Sequence, residues 1–113
     1  MNMTITEAQG ITIIHLAGDI DGRTAPQIQD ALLSTMQTDG KLLLEMSQVD
    51  YMSSAGLRLL LLLYRQISDS DGQVALVSLP EMIQDTMSIT GFLDFFTTYS
   101  TLEEGITALN NNA

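Results

Sequence analysis

Cysteine is absent from the chain, so disulfides, thiolate metal sites and thiol catalysis have no residue to carry them. Tryptophan is absent too, and aromatic residues make up only 5% of the 113 positions, which leaves a core to be assembled from Leu, Ile, Val and Met. The seven methionines suit such a core, because unbranched thioether side chains fill irregular gaps. Positive charge is scarcer still: four Lys and Arg stand against 14 Asp and Glu, a net charge of -10. Nucleic acid requires a basic stripe to neutralise its phosphates, and an anionic membrane surface makes a similar demand, so neither partner is expected. A protein partner should instead present a basic or neutral face. Long hydrophobic runs are also missing. The longest, Leu59 to Leu63, is far short of a bilayer span, and the N-terminus lacks the basic start and apolar stretch of a signal peptide. A cytoplasmic protein is the expectation that follows.

What is present describes a globular chain, 45% hydrophobic and 16% charged, expected to form one domain over residues 1–113. A short strand is predicted at Thr4 to Glu7, then a turn at Gln9-Gly10 and an antiparallel second strand from Ile11 to Leu16. Gly18 is expected to open a loop through Asp19-Ile20-Asp21-Gly22-Arg23. Thr24-x-x-Gln27 reads as a capping box, ahead of a helix with Ile28, Ala31, Leu32, Thr35 and Met36 on one face and an end at Asp39-Gly40. Lys41 to Met46 reads as a central strand covered on both sides, and Ser47 to Met52 as a loop. A Leu-rich helix from about Ala55 to Ile67 suggests burial on more than one side and breaks at Asp69-Ser70-Asp71-Gly72.

Val74 to Val77 is the next strand, and Pro80 begins a helix carrying Met82, Ile83, Thr86 and Met87, ended by Gly91. Phe95 to Tyr99 is the last predicted strand. Thr101-Leu102-Glu103-Glu104 forms a second capping box before a final helix that turns Leu102, Ile106 and Leu109 inward, with Asn110-Asn111-Asn112 as a polar tail. The fold class is therefore α/β, in the order β-β-α-β-α-β-α-β-α: a mixed sheet of about five strands with about four helices. In such folds functional loops gather at the carboxyl ends of strands, so the loops around Asp21 and before Ser54 could share one rim.

The segment Asp50-Tyr51-Met52-Ser53-Ser54-Ala55-Gly56-Leu57-Arg58 carries the functional argument. Its ordinary reading is structural: one serine caps the helix while Ala55 and Gly56 permit close packing. Its sharper reading is electrostatic. Free amides and the helix dipole favour an anion at a helix start, so a phosphoserine there can change the surface while leaving the fold intact.

Tyr51-Met52-Ser53-Ser54-Ala55-Gly56-Leu57 resembles the motif of STAS domains of the anti-sigma factor antagonist type, an aromatic-Met pair followed by Asp-Ser-Ser/Thr-Gly-Leu. Leu16-Ala17-Gly18-Asp19-Ile20-Asp21, with Thr24-Ala25 after it, is similar to the family's Gly-Glu-Leu-Asp loop, and Met87-Ser88-Ile89-Thr90-Gly91-Phe92 to the end of its penultimate helix. The three matches lie in register across nearly the whole chain. This resemblance implies that Ser54 is the phosphorylated serine, with Ser53 the alternative, because Ser53 stands where the family usually has Asp. It also implies that Asp21 is a rim acid near the partner-facing surface, and the residues expected to meet the partner are Asp19, Asp21, Ser53, Ser54 and Arg58, the last placed one turn into the helix either to neutralise a phosphate or as a solvated charge. The implied partners are a serine kinase that doubles as anti-sigma factor, released upon phosphorylation, and a serine phosphatase that restores binding. The implied output is regulation of transcription by partner switching.

Other chemistry is poorly supplied. His15 is the single histidine and lies among β-branched strand residues, where packing is the commoner role. Asp19 and Asp21 lack the ligand count of a cation loop, and no Gly-x-x-x-x-Gly-Lys phosphate cradle is present. No metal, cofactor or enzymatic activity is expected. A constitutive STAS adaptor of a transport or other regulatory assembly is the alternative function. A small enzyme using Asp19, Asp21 and Ser54 on a phosphorylated substrate is a third reading, opposed by the missing base, metal set and phosphate loop.

Overall fold

Gln9 and Gly10 both hold positive φ, 55° and 80°, so the chain doubles back at its first turn in the geometry that suits a tight hairpin. The computed structural model describes residues 2–35, 40–69 and 71–111. Strands β1 (Asn2–Ala8) and β2 (Ile11–Ile20) pair antiparallel on either side of that turn, and Asn110 Nδ2 donates to Gln9 Oε1 at 2.6 Å. Helix α1 (Ala25–Thr35), strand β3 (Lys41–Met52), helix α2 (Ser54–Asp69), strand β4 (Gln73–Val77), helix α3 (Glu81–Ile89), strand β5 (Thr98–Tyr99) and helix α4 (Leu102–Asn111) follow. The sheet order is β1-β2-β3-β4-β5, with every pairing after the first parallel. This is the expected order of elements. Met36, Asp39, Ser70 and Asn112, which enter the sequence expectations, lie outside the described residues.

Two strands run further than their sequences suggest. β2 continues through Gly18 and Asp19 to Ile20, and the expected loop Ser47 to Met52 is the second half of β3. The reason is bulging. His15 faces Glu45 but Ala17 faces Gln48, and Gly18 faces Val49 while Asp19 faces Tyr51, so β3 twice takes one residue more than β2. Gly18 accommodates the distortion with φ 111°. Glu45 Oε1 accepts bonds from the Ser47 amide and hydroxyl, both at 2.7 Å, at the first bulge. The bulges turn Met46, Val49 and Met52 all towards one apolar cluster, a spacing that no strict alternation produces.

The alternation elsewhere divides the core. Ile14, Leu16, Leu42, Leu44, Val74 and Leu76 face α1, α2 and α3, while Ile11, Ile13, Leu43, Ala75 and Val77 face α4. Each fully buried Leu or Ile contributes roughly 1.5–3 kcal/mol to that division. Helix α2 buries one side only: Leu57, Leu60, Leu61, Leu63 and Ile67 point inward, whereas Leu62 is 54% exposed. The Leu-rich sequence therefore does not bury every face. Ile83 and Met87 anchor α3, but Met82 is 74% exposed instead of packed, one position off the inward stripe.

Gly91 takes φ 79° after α3, and a 3-10 turn over Phe92–Phe95 follows. It replaces the first part of the expected last strand and leaves only Thr98–Tyr99 to pair with β4. Phe96 is buried and meets Tyr64 edge-on at 5.0 Å, so the aromatic content of this segment serves packing against α2.

Candidate functional site

The rim is built at the carboxyl ends of β2 and β3. β2 delivers Asp21 at the start of a reciprocal capping box: the Thr24 amide donates to Asp21 Oδ1 at 3.1 Å, and the Asp21 amide donates to Thr24 Oγ1 at 2.9 Å. The Arg23 amide adds a bond to the same carboxylate at 2.9 Å, and the Thr24 hydroxyl donates to the Asp19 carbonyl at 2.7 Å. The box thus spans Asp21-x-x-Thr24. The expected Thr24-x-x-Gln27 box does not form, because the Thr24 hydroxyl is engaged behind it. These amides stabilise the ionised carboxylate, and the Arg23 charge assists, holding the Asp21 pKa below its ordinary value against a smaller desolvating effect.

β3 delivers the two serines. The Ser53 amide donates to the Ile20 carbonyl at 2.8 Å, which ties the end of β3 to the end of β2. The Ser53 hydroxyl accepts the Gly56 amide at 3.1 Å, and its carbonyl accepts the Leu57 amide at 2.9 Å. Ser53 is therefore the N-cap of α2, and Ser54 its first helical residue. Ser54 is exposed, and its hydroxyl has no hydrogen-bond partner among the described residues.

Gly56 brings the two strand ends this close. A Cβ there would stand 2.6 Å from the Ile20 carbonyl oxygen and 2.8 Å from Ile20 Cγ2. Only glycine lets the first turn of α2 lie on the end of β2. A Cβ on Gly22 would lie 3.9 Å from Ala55 Cβ, so the Asp21 loop runs beside the same turn. Ser53, Ser54, Asp21 and Gly22 accordingly share one rim. Arg58 is exposed one turn beyond Ser54, at the spacing at which helical side chains are neighbours. Asp19 sits on β2, not in a loop, with an exposed side chain.

Tyr51, which the sequence reading did not include among the site residues, belongs to this rim. It pairs in register with Asp19 and is 55% exposed. Its signal was its place in the aromatic-Met pair, hidden by the assignment of residues 47–52 to a loop. His15 lies five strand residues before Ile20, roughly 16 Å away at the rise of a β-strand. Its ring Nε2 is 3.3 Å from the Thr6 hydroxyl, so it is not placed to act on Ser54. Among the described residues no group of three or more His, Asp and Glu could hold a metal ion. No helix among them is long and apolar enough to cross a membrane. The rim offers an accessible hydroxyl, an ionised carboxylate fixed by amides, and an uncovered helix start.

The STAS domain family profile matches residues 2–105. The Bordetella bronchiseptica protein BtrV, which carries the anti-sigma factor antagonist name, is 30% identical over 97 residues, covering 85% of this chain and 84% of BtrV. The anti-sigma-B factor antagonist of Bacillus subtilis is 24% identical over 106 residues, 94% of this chain and 97% of that protein. The crystal structure of an anti-sigma factor antagonist from Mycobacterium paratuberculosis superposes with a TM-score of 0.84 at 23% identity, covering 96% of this chain and 93% of that one.

Proposed function

This chain belongs to the STAS domain family, and on that premise we propose that it is an anti-sigma factor antagonist working as a phosphorylation-controlled binding switch. In its unmodified form it docks the Asp21–Ser54 rim against a serine kinase that doubles as an anti-sigma factor, and so sequesters it. The kinase transfers the γ-phosphoryl group of ATP to Ser54 Oγ; ADP leaves and the hydroxyl proton is lost. The product dianion stands beside Asp21 and Asp19, and its bulk and hydration prevent the close packing of the partner around Ser54 and end the complex. A serine phosphatase hydrolyses the ester and restores binding. The protein acts through binding, without catalysis or cofactor of its own.

The observation that supports this reading most is the division of labour between the adjacent serines. Ser53 spends its hydroxyl on the Gly56 amide, whereas Ser54 presents a free one to solvent at the helix start. A phosphate on Ser54 leaves the cap in place, while one on Ser53 would displace it. The reading is tested by intact-mass measurement and phosphosite mapping after incubation with ATP and the serine kinase encoded nearest to this chain. One phosphate on Ser54, lost in Ser54→Ala and kept in Ser53→Ala, is the expected result. A phosphate on Ser53 keeps the switch and moves its site. Absence of phosphate, with binding unaffected by Ser54→Asp, would transfer the function to a constitutive adaptor.

A further inference from the structure

We propose that the outward side of α2 is a second, oppositely charged half of the partner footprint, and that it engages an acidic face of the same kinase, with carboxylates flanking an apolar side chain. The proposal rests on the switch reading above and extends it away from the rim.

Its basis is a stripe that begins at the switch serine. Ser54, Arg58, Leu62 and Arg65 follow one another at spacings of four, four and three along α2, and so form one continuous line on the helix surface. All four are exposed, Leu62 to 54%. The line continues onto the neighbouring 3-10 turn, where the Arg65 guanidinium lies over the Phe95 ring, 5.7 Å from its centroid, and Phe95 is itself 51% exposed. Half of the chain's four cations therefore stand on this stripe, in a molecule with 14 acids. Among the described residues neither arginine has a carboxylate within 4 Å. Asp69, one turn after Arg65, and Asp94, on the 3-10 turn beside Phe95, flank the stripe with one negative charge each.

An internal structural role explains little of this. Leu62 packs on nothing that buries it, and the arginines do not neutralise the nearby acids. Arg65 is instead held by an aromatic face, which orders its planar donors while leaving them open to a carboxylate. Exposed aromatic, arginine and leucine side chains in one line have the composition of a binding surface. The net charge of -10 would draw any basic partner to the molecule at large. A cationic helix beside the acidic Asp19–Asp21 rim is what fixes its orientation, since a partner turned end for end would meet like charge at both halves. Arg58 stands between the halves, one turn from Ser54, so a phosphate on Ser54 also competes for the cation nearest the rim.

Titration calorimetry of the full chain against the purified kinase, with ADP in place of ATP so that no transfer occurs, tests the proposal. Arg65→Glu and Arg58→Glu are each expected to weaken binding about tenfold or more, Leu62→Ser about threefold, and Arg65→Lys less than about threefold. Glu81→Lys, on the exposed first turn of α3, serves as the charge control and should stay within about twofold. Because these side chains are exposed, the thermal midpoints of all variants should match the wild type. Restoration of Arg65→Glu binding by one acid-to-arginine change on the kinase would identify the facing carboxylate. Wild-type binding with both arginine reversals within twofold of it would overturn the second half while leaving the switch intact. Failure of the wild type to bind would remove both readings. A change in the sedimentation of the chain alone in Arg65→Glu would assign the stripe to a second copy and overturn the proposal.

Discussion

Helices α2 and α4 begin alike and are finished differently. Each has a hydroxyl N-cap, Ser53 or Thr101, that accepts the amide three residues on, both at 3.1 Å, and each has a buried glycine in its opening turns, Gly56 or Gly105. α4 then supplies its own anions. Glu103 and Glu104 occupy its first turn, and Glu104 Oε2 reaches back to accept the Ser100 amide at 3.2 Å. The first turn of α2 contains no acid, although the chain has 14 to place. The first turn of α1 holds no acid either, but Asp21 stands just ahead of that helix and accepts the amides of Arg23 and Thr24. On the switch proposed above, it is this start of α2, with no acid in or just before it, that receives the phosphate. The start of α2 is thus marked by the absence of a carboxylate as well as by the serine it presents.

The two glycines break the comparison most severely. Gly56→Ala sets a Cβ against the Ile20 backbone carbonyl at 2.6 Å, which has no rotamer to escape through. The expected loss is about 3 kcal/mol, with displacement of the α2 start from β2 and failure of partner binding even where folding survives. Gly105→Ala meets only side chains, Val77 Cγ1 at 2.7 Å and Leu43 at 3.1 Å, and these can yield. Its cost should be roughly 1–2 kcal/mol, without effect on the rim. Urea unfolding of the two variants measures the difference; equal losses would mean that α2 is not pinned to β2 as described.

The caps sharpen the comparison at a smaller scale. Ser53→Ala and Thr101→Ala each remove a bond to the third amide and should cost about 1 kcal/mol, whereas Ser54→Ala should stay within about 0.5 kcal/mol of wild type. Ser54→Asp adds the missing first-turn anion and should stabilise α2 by roughly 0.3–1 kcal/mol at low salt. The same change made next to existing acids, Leu102→Asp in α4, should gain nothing and lose packing. Thermal melts of this set, with and without added salt, separate dipole from packing effects, because only the former is screened. Should Ser54→Asp destabilise, the vacancy at α2 would be no anion site.

The element order was legible because turn residues and the change of hydrophobic period stand where elements meet. The strand ends were not, for a reason seen in particular residues. Ser47, Gln48 and Asp50 carry loop-like polarity, yet two bulges turn them outward and return Val49 and Met52 to the core. Periodicity cannot register a residue inserted opposite a single partner. The capping error has another origin: Asp21-x-x-Thr24 and Thr24-x-x-Gln27 overlap in the sequence, and only the bond from Thr24 Oγ to the Asp19 carbonyl decides between them. The serine motif was legible as a motif. Which serine caps depends on the tether from the Ser53 amide to Ile20, a contact between residues 33 apart that no local pattern contains. Tyr51 was lost with the strand that carries it.

The smallest predicted effect concerns the helix that does bring its own acid. The Asp21 carboxyl is held below its ordinary value of 3.8 by the Arg23 and Thr24 amides first, and by the Arg23 charge. In the unfolded chain the group titrates near that ordinary value, so over the interval below it the folded state binds fewer protons than the unfolded state. Stability from this group is therefore complete above the unfolded pKa and is lost as pH falls through the folded one. Asp21→Asn should remove this part of the acid dependence while keeping one acceptor for the amides. Urea midpoints measured downward from neutral pH decide the matter. Parallel acid profiles for the wild type and Asp21→Asn would show that the amides do not prefer the ionised carboxylate, and α1 would then lose its place beside α4 as a helix that supplies its own charge.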